Sequence, residues 1–188
     1  MNLLYKFKVS GMSDYDMAGE IILRARSSDP RDFKKLKYLA ETKGFQACFE
    51  SVVQRVIVSG ESVVLHRLML LPQVSGQQKK WALWFASRTS DPDHRASMVA
   101  TMFLHRPPST QEEKDKWLAE FLMLEKSYGI ELMVKHGANV EQALAIVDQK
   151  INAQKDKLEE KKGHLDSFRE KIRLSCEKIG ASGAKLKP

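Results

Sequence analysis

Counting in sevens from Leu144 meets Ile151, Leu158, Leu165, Ile172 and Ile179, six aliphatic residues in one strict register. A seven-residue repeat sustained over that length marks a helix that lays one seam against another helix. The companion positions are weaker: Val140, Val147 and Phe168 are apolar, but Gln154, Lys161 and Ser175 are not. Gly163 falls inside the run and costs about 1 kcal/mol of helix propensity. A helix over residues 138–179 would be about 60 Å long, more than a compact domain of this size can flank. Either it projects and pairs with a second chain, or it breaks near Lys162-Gly163 and folds back as a hairpin. Both readings make Leu144, Ile151, Leu158, Leu165, Ile172 and Ile179 an interface for a protein partner or a homodimer.

Upstream of Arg106 the texture differs. Residues 52–58 and 63–71 are β-branched and aliphatic runs flanking Ser59-Gly60-Glu61-Ser62, which reads as a β-hairpin. Residues 80–87 and 96–105, joined by a polar loop containing Ser90-Asp91-Pro92-Asp93, read as a second strand pair. Residues 1–9 alternate in part, and Arg24 and Arg26 alternate behind Ile21-Ile22-Leu23, so two further strands are expected, with a helix over residues 15–26 competing for the second. Ser28-Asp29-Pro30 signals a helix start, followed by Phe33, Leu36, Leu39 and Ala40 at helical spacing and by Gly44 as a stop. After Pro107-Pro108, Thr110 before Glu112 and Glu113 signals another start, with a stripe of Trp117, Phe121, Leu124 and Tyr128 to cover the sheet. Gly129 and His136-Gly137 read as interruptions, and Asn139 as a further cap. The expected fold is therefore α+β: an antiparallel sheet packed by helices over residues 1–137, a heptad-patterned helix or hairpin over 138–179, and a disordered basic tail over 180–188.

Composition narrows the chemistry. With 188 residues, 43% hydrophobic and 29% charged, the chain can bury a core without disulfide or metal, and it is neither collagen-like nor wholly disordered. No apolar run approaches the ~20 residues of a membrane span, and residues 1–10 carry Lys6 and Lys8 without a cleavage site. A cytoplasmic protein with no membrane partner is expected, with Cys48 and Cys176 as separate reduced thiols. Neither phosphate-cradling glycine motif occurs, so no nucleotide cofactor is expected. His66, His94, His105, His136 and His164 are scattered singly, without the close ligand pairs that zinc requires, so no metal is expected either. The acidic pairs Asp14/Asp16, Asp29/Asp32 and Asp91/Asp93 stand at turns and helix starts, where Asp serves as a cap. No catalytic signature stands out.

The net charge of +7 tilts the partners toward polyanions. From Asn139 onward 11 basic and 8 acidic residues mix, the pattern of a solvated helix rather than a nucleic-acid arm. The stronger basic set lies on the expected sheet: Arg55, Arg67, Lys79, Lys80 and Arg88, beside Trp84. Cations for phosphates and aromatic rings for bases are how single strands are commonly held. The expected function is a non-enzymatic nucleic-acid-binding accessory protein that self-associates through its C-terminal helix. The alternative is a protein–protein interaction module, a scaffold or inhibitor, that binds through the heptad helix or the sheet.

Overall fold

A computed structural model describes residues 3–153 and residues 173, 174 and 177. Residues 3–153 form ten α-helices: α1 (Leu3–Ser10), α2 (Asp14–Arg26), α3 (Pro30–Ala40), α4 (Lys43–Val58), α5 (Ser62–Met69), α6 (Gly76–Ala86), α7 (Pro92–Phe103), α8 (Gln111–Met123), α9 (Ser127–Lys135) and α10 (Val140–Ala153). Among the described residues there is no strand, so residues 3–153 are all-α and the antiparallel sheet expected within residues 1–137 is not formed. None of the described helices is long and apolar enough to cross a membrane.

The reason for the correction is visible in the apolar runs. The buried residues in the expected hairpin are Val52, Val53, Val56 and Ile57 on α4, then Val64, Leu65, Leu68 and Met69 on α5, with Leu71 just past its end. Adjacent pairs recurring every four residues trace one face of a helix, whereas a strand would bury every second residue. β-Branched residues prefer strands by at most about 1 kcal/mol, and that preference yields to burial on a helical face. The second expected pair becomes α6, with Ala82 and Ala86 buried, and α7, which is buried almost all round from Met98 to Phe103. The two N-terminal strands are α1 and α2, the latter close to the competing helical reading.

Capping chemistry sets the helix starts. Ser13, Asp29, Thr42, Ser75, Asp91 and Thr110 each accept a hydrogen bond from a backbone N–H in the first turn of the helix they precede. Such a cap stabilises a helix by about 1 kcal/mol over alanine. Pro30 and Pro92 occupy first turns, where the missing N–H has no partner to lose. The expected helix at Pro30 forms but ends at Ala40, and Gly44 opens the next helix instead of stopping that one.

The chain divides into two compact units, Met1–Arg106 and one that begins at Pro107. In the first, α4 is central and packs against α2, α3, α5, α6 and α7. It buries Phe45, Cys48, Phe49, Val52, Val53, Val56 and Ile57, a face wide enough to serve neighbours on several sides. The turn into α5 requires Gly60: its φ is +70°, and a Cβ there would stand 2.9 Å from the His94 ring. A polar network ties α1, α2 and α3 together. The buried Glu20 accepts from the Tyr5 hydroxyl at 3.0 Å and from Arg24 at 2.7 Å, and Arg24 also reaches Asp32 at 2.8 Å. Burial, and then the Glu20 charge, push the Tyr5 hydroxyl up to about 12.

In the second unit α8 is central, with α9 and α10 both packed on it. Its buried residues are Asp115, Leu118, Ala119, Phe121 and Leu122, so of the expected stripe only Phe121 is in the core, and Tyr128 is exposed on α9. Gly129 lies within α9 instead of interrupting it, and the absence of a side chain there leaves room for the Phe121 ring. Asn139 caps α10 by accepting from Gln142 at 3.1 Å. The buried residues of α10 are Ala143, Val147 and Ile151, and Lys150 pairs with Glu120 on α8 at 3.2 Å. Ile151 of the heptad register is thus buried, and Leu144 is half-buried. Leu158, Leu165, Ile172, Ile179 and the tail 180–188 lie outside the described residues.

Candidate nucleic-acid interface

Helix α6 carries three of the six expected nucleic-acid residues, Lys79 and Lys80 in its first half and Trp84 near its end, and a fourth, Arg88, follows in the turn beyond it. Ser75 and Gln78 form a reciprocal capping box that fixes the start of the helix, and Gln78 Nε2 donates to Gln46 Oε1 at 2.9 Å, anchoring it to α4. Four residues turn a helix by about 40° beyond a full circle, so Lys80 and Trp84 share one side of α6, and Arg88, past its end, joins them by lying over the Trp84 ring. All three are exposed. Ala82 and Ala86, on the opposite side, are fully buried, and their small side chains let α6 seat closely on the core while the Lys80 side faces out.

Trp84 is 50% exposed, unusual for so large an apolar surface. The Arg88 guanidinium lies 4.3 Å from the centre of its ring, a cation–π contact that holds the two side chains together. Trp81 and Phe85, both half-buried on the flank of α6, stack at 5.7 Å with 19° between their planes. An exposed indole with a guanidinium over its ring and an ammonium one turn away form a cationic and aromatic patch on the outside of α6.

The other two expected residues have different surroundings. Arg67 on α5 donates to the carbonyls of Ala25 and Ser27, closing the end of α2, and is half-buried. The Arg55 guanidinium lies 4.7 Å from the ring of Tyr15, between α4 and α2. Neither joins the α6 patch. Of the remaining reactive groups, Cys48 is buried and its thiol is pushed up to about 11 by that burial. Among the described residues no three His, Cys, Asp or Glu side chains converge to hold a metal ion.

One juxtaposition has no counterpart in the sequence reading. His66 on α5 and His105, just past α7, are hydrogen-bonded through Nδ1 and Nε2 at 3.0 Å, with ring centres 4.8 Å apart. Burial, then the His66 ring, then the Lys79 ammonium hold His105 down at about 4. The residues are 39 apart in the chain, so no local pattern marks them. A local signal does exist for α6: residues 62–90 contain no Asp or Glu, while Arg67, Lys79, Lys80 and Arg88 all fall there. Compared with family models, curated proteins and solved structures, the chain matches none.

Proposed function

We propose that this protein binds single-stranded nucleic acid, without catalysing a reaction on it, through the outer face of α6. The observation that carries the reading is the exposed group Lys80, Trp84 and Arg88 within an acid-free stretch of chain. An indole offers a π-face to any base, so the expected preference is for unpaired strands with little sequence selectivity. Lys80 and Arg88 add contacts to phosphate, which make the affinity fall as salt rises.

Fluorescence anisotropy with labelled single- and double-stranded oligonucleotides, at low and moderate salt, tests this. Base–aromatic stacking is worth about 1–3 kcal/mol, so Trp84→Ala is expected to weaken single-strand binding by about 5- to 150-fold. Lys80→Glu should weaken it at low salt more than at high salt. Absence of salt-sensitive binding, or unchanged affinity in both variants, overturns the reading.

Self-association rests on the heptad register alone. With Ile151 buried and Leu144 half-buried in the second unit, the positions that would serve a second copy are Leu158, Leu165, Ile172 and Ile179. Replacing Leu158 and Leu165 by Glu in the full chain should convert a dimer to a monomer in sedimentation equilibrium. A wild-type chain that sediments as a monomer at every concentration removes this part of the proposal.

A further inference from the structure

Helix α1 turns Tyr5 and Val9 toward the body of the first unit: Val9 is buried, and the Tyr5 hydroxyl donates to Glu20 on α2 at 3.0 Å. Phe7 is two residues from each of them, which puts it on the opposite side of the helix, and it is 69% exposed. Lys6 and Lys8, also exposed, stand about 100° to either side of it. We propose that α1, with the outer side of α3, docks on a membrane leaflet that carries anionic lipid. Phe7 enters the acyl boundary, and Lys6, Lys8, Lys34 and Lys37 meet the headgroups. This goes beyond the α6 reading and does not depend on it.

The two helices present one surface because α1 lies against α3 through aromatic rings. The ring centres of Tyr5 and Tyr38 are 6.4 Å apart, and the Lys6 ammonium lies 5.9 Å from the centre of the Tyr38 ring. The buried side of α3 is Leu36, Leu39 and Ala40. Lys34 is opposite them, one turn before Tyr38, and the Lys37 ammonium lies 5.0 Å from the centre of the Phe33 ring. Both lysines are exposed.

Charge decides what this surface fits. Residues 1–13 and 33–40 contain five lysines and no Asp or Glu. The carboxylates that approach belong to other segments and are engaged there. Glu20 is buried and accepts from Tyr5 and Arg24, with Lys8 4.0 Å away, and Asp32 accepts from Arg24 and from Lys35 at 3.1 Å. Glu41, which follows the end of α3, offsets at most one of the remaining charges. An anionic leaflet combines fixed negative charge with an apolar layer just beneath it, and a phenyl ring flanked by ammonium groups matches both. The lysine stems can lie along the ring while their heads stay at the phosphates. Trp84 carries a guanidinium over its face, whereas among the described residues no cation lies over Phe7, so its phenyl has apolar area left to bury. A polyanionic strand would meet the lysines and leave that ring in water. This docking departs from the expectation of no membrane partner, which rested on the lack of a spanning run; a leaflet contact requires none.

The test is sedimentation of the full chain with vesicles of phosphatidylcholine, alone or with phosphatidylserine at about one part in three. Binding to the mixed vesicles that weakens as salt rises, with little binding to phosphatidylcholine alone, is expected. Changing Lys6, Lys8, Lys34 or Lys37 to Gln should weaken it about fivefold each, and Phe7→Ser about tenfold. All five side chains are exposed, so these changes leave the core intact. Phe7→Leu should bind as the wild type does, because hydrocarbon accepts any apolar side chain whereas base stacking needs an aromatic one. Trp84→Ala should keep its vesicle binding. No salt-sensitive binding to the mixed vesicles, or undiminished binding by Phe7→Ser, overturns the inference. Loss of oligothymidylate affinity in both Phe7→Ser and Phe7→Leu overturns it in favour of nucleic acid on α1. A wild-type chain that binds the mixed vesicles but no oligonucleotide removes the α6 reading and leaves this one standing.

Discussion

The backbone N–H of Asn139 donates to Oδ1 of Asp115 at 2.6 Å, joining the start of α10 to the first turns of α8. Asp115 is only 4% exposed, and it also accepts from Gln111 Nε2 at 2.8 Å, while the same amide nitrogen holds the Gly137 carbonyl at 3.0 Å. Asp115→Ala removes the acceptor that these part-buried donors share, at a cost of about 1 kcal/mol. Asp115→Asn keeps an acceptor oxygen and should lose less. Thermal unfolding followed by circular dichroism ranks the three chains, and an Asp115→Ala variant that melts with the wild type refutes the role.

Gly129 of α9 lies directly against Phe121 of α8. A Cβ at this position would stand 2.6 Å from the ring of Phe121, a stiff side chain that is itself fully buried. Alanine is the better helix former by about 1 kcal/mol, but overpacking of a core typically costs about 1–3 kcal/mol. Gly129→Ala is therefore expected to lower the stability of the second unit. Adding Phe121→Leu should recover part of the loss in a double-mutant cycle; simple additivity of the two changes would show that the residues do not collide.

Hydrogen bonds from Ser27 and Lys35, with the Arg24 charge beside them, hold the Asp32 carboxyl at about 2, below its ordinary 3.8. The depressed carboxylate contributes stability that is fully present above about pH 4 and is lost as pH falls toward 2. Urea midpoints of the wild type should therefore drop across that window. In Arg24→Met or Asp32→Asn the drop should be shallower, and an identical pH profile in these variants would exclude the network as its source.

The His66–His105 pair acts in a different window. His105 is held at about 4 against an ordinary 6.5, so an unfolded chain binds more protons than the folded one between those values. Stability is complete above about pH 6.5 and declines as pH falls toward 4. His105→Asn should flatten the midpoint between these limits, and proton titration of His105 by NMR gives the folded value directly.

Several helix starts were legible because capping is settled within a few neighbouring residues. Asp29-Pro30, Thr110 with Glu113, and Asn139 with Gln142 all do locally what their sequence implies. The cations and the indole at α6 were legible as residues, since the sequence marks Lys79, Lys80, Trp84 and Arg88, together with Arg55 and Arg67, as a basic and aromatic set on the expected sheet. What surrounds them was not. Val52–Val53 and Val56–Ile57 are compatible with a strand by propensity and with a helix by spacing, and burial against several helices decides between the two.

By itself, then, the sequence determined the caps at Asp29, Thr110 and Asn139, the abundance of basic groups and the heptad register from Leu144. Only the tertiary structure decided that the apolar runs are helices, that Arg67 closes α2 while Lys80, Trp84 and Arg88 face outward, and that two histidines 39 residues apart share a hydrogen bond. The physical reason is range. A cap or a charge depends on its immediate neighbours, whereas burial and side-chain convergence depend on which distant helices pack together, and short stretches of apolar sequence do not specify their partners.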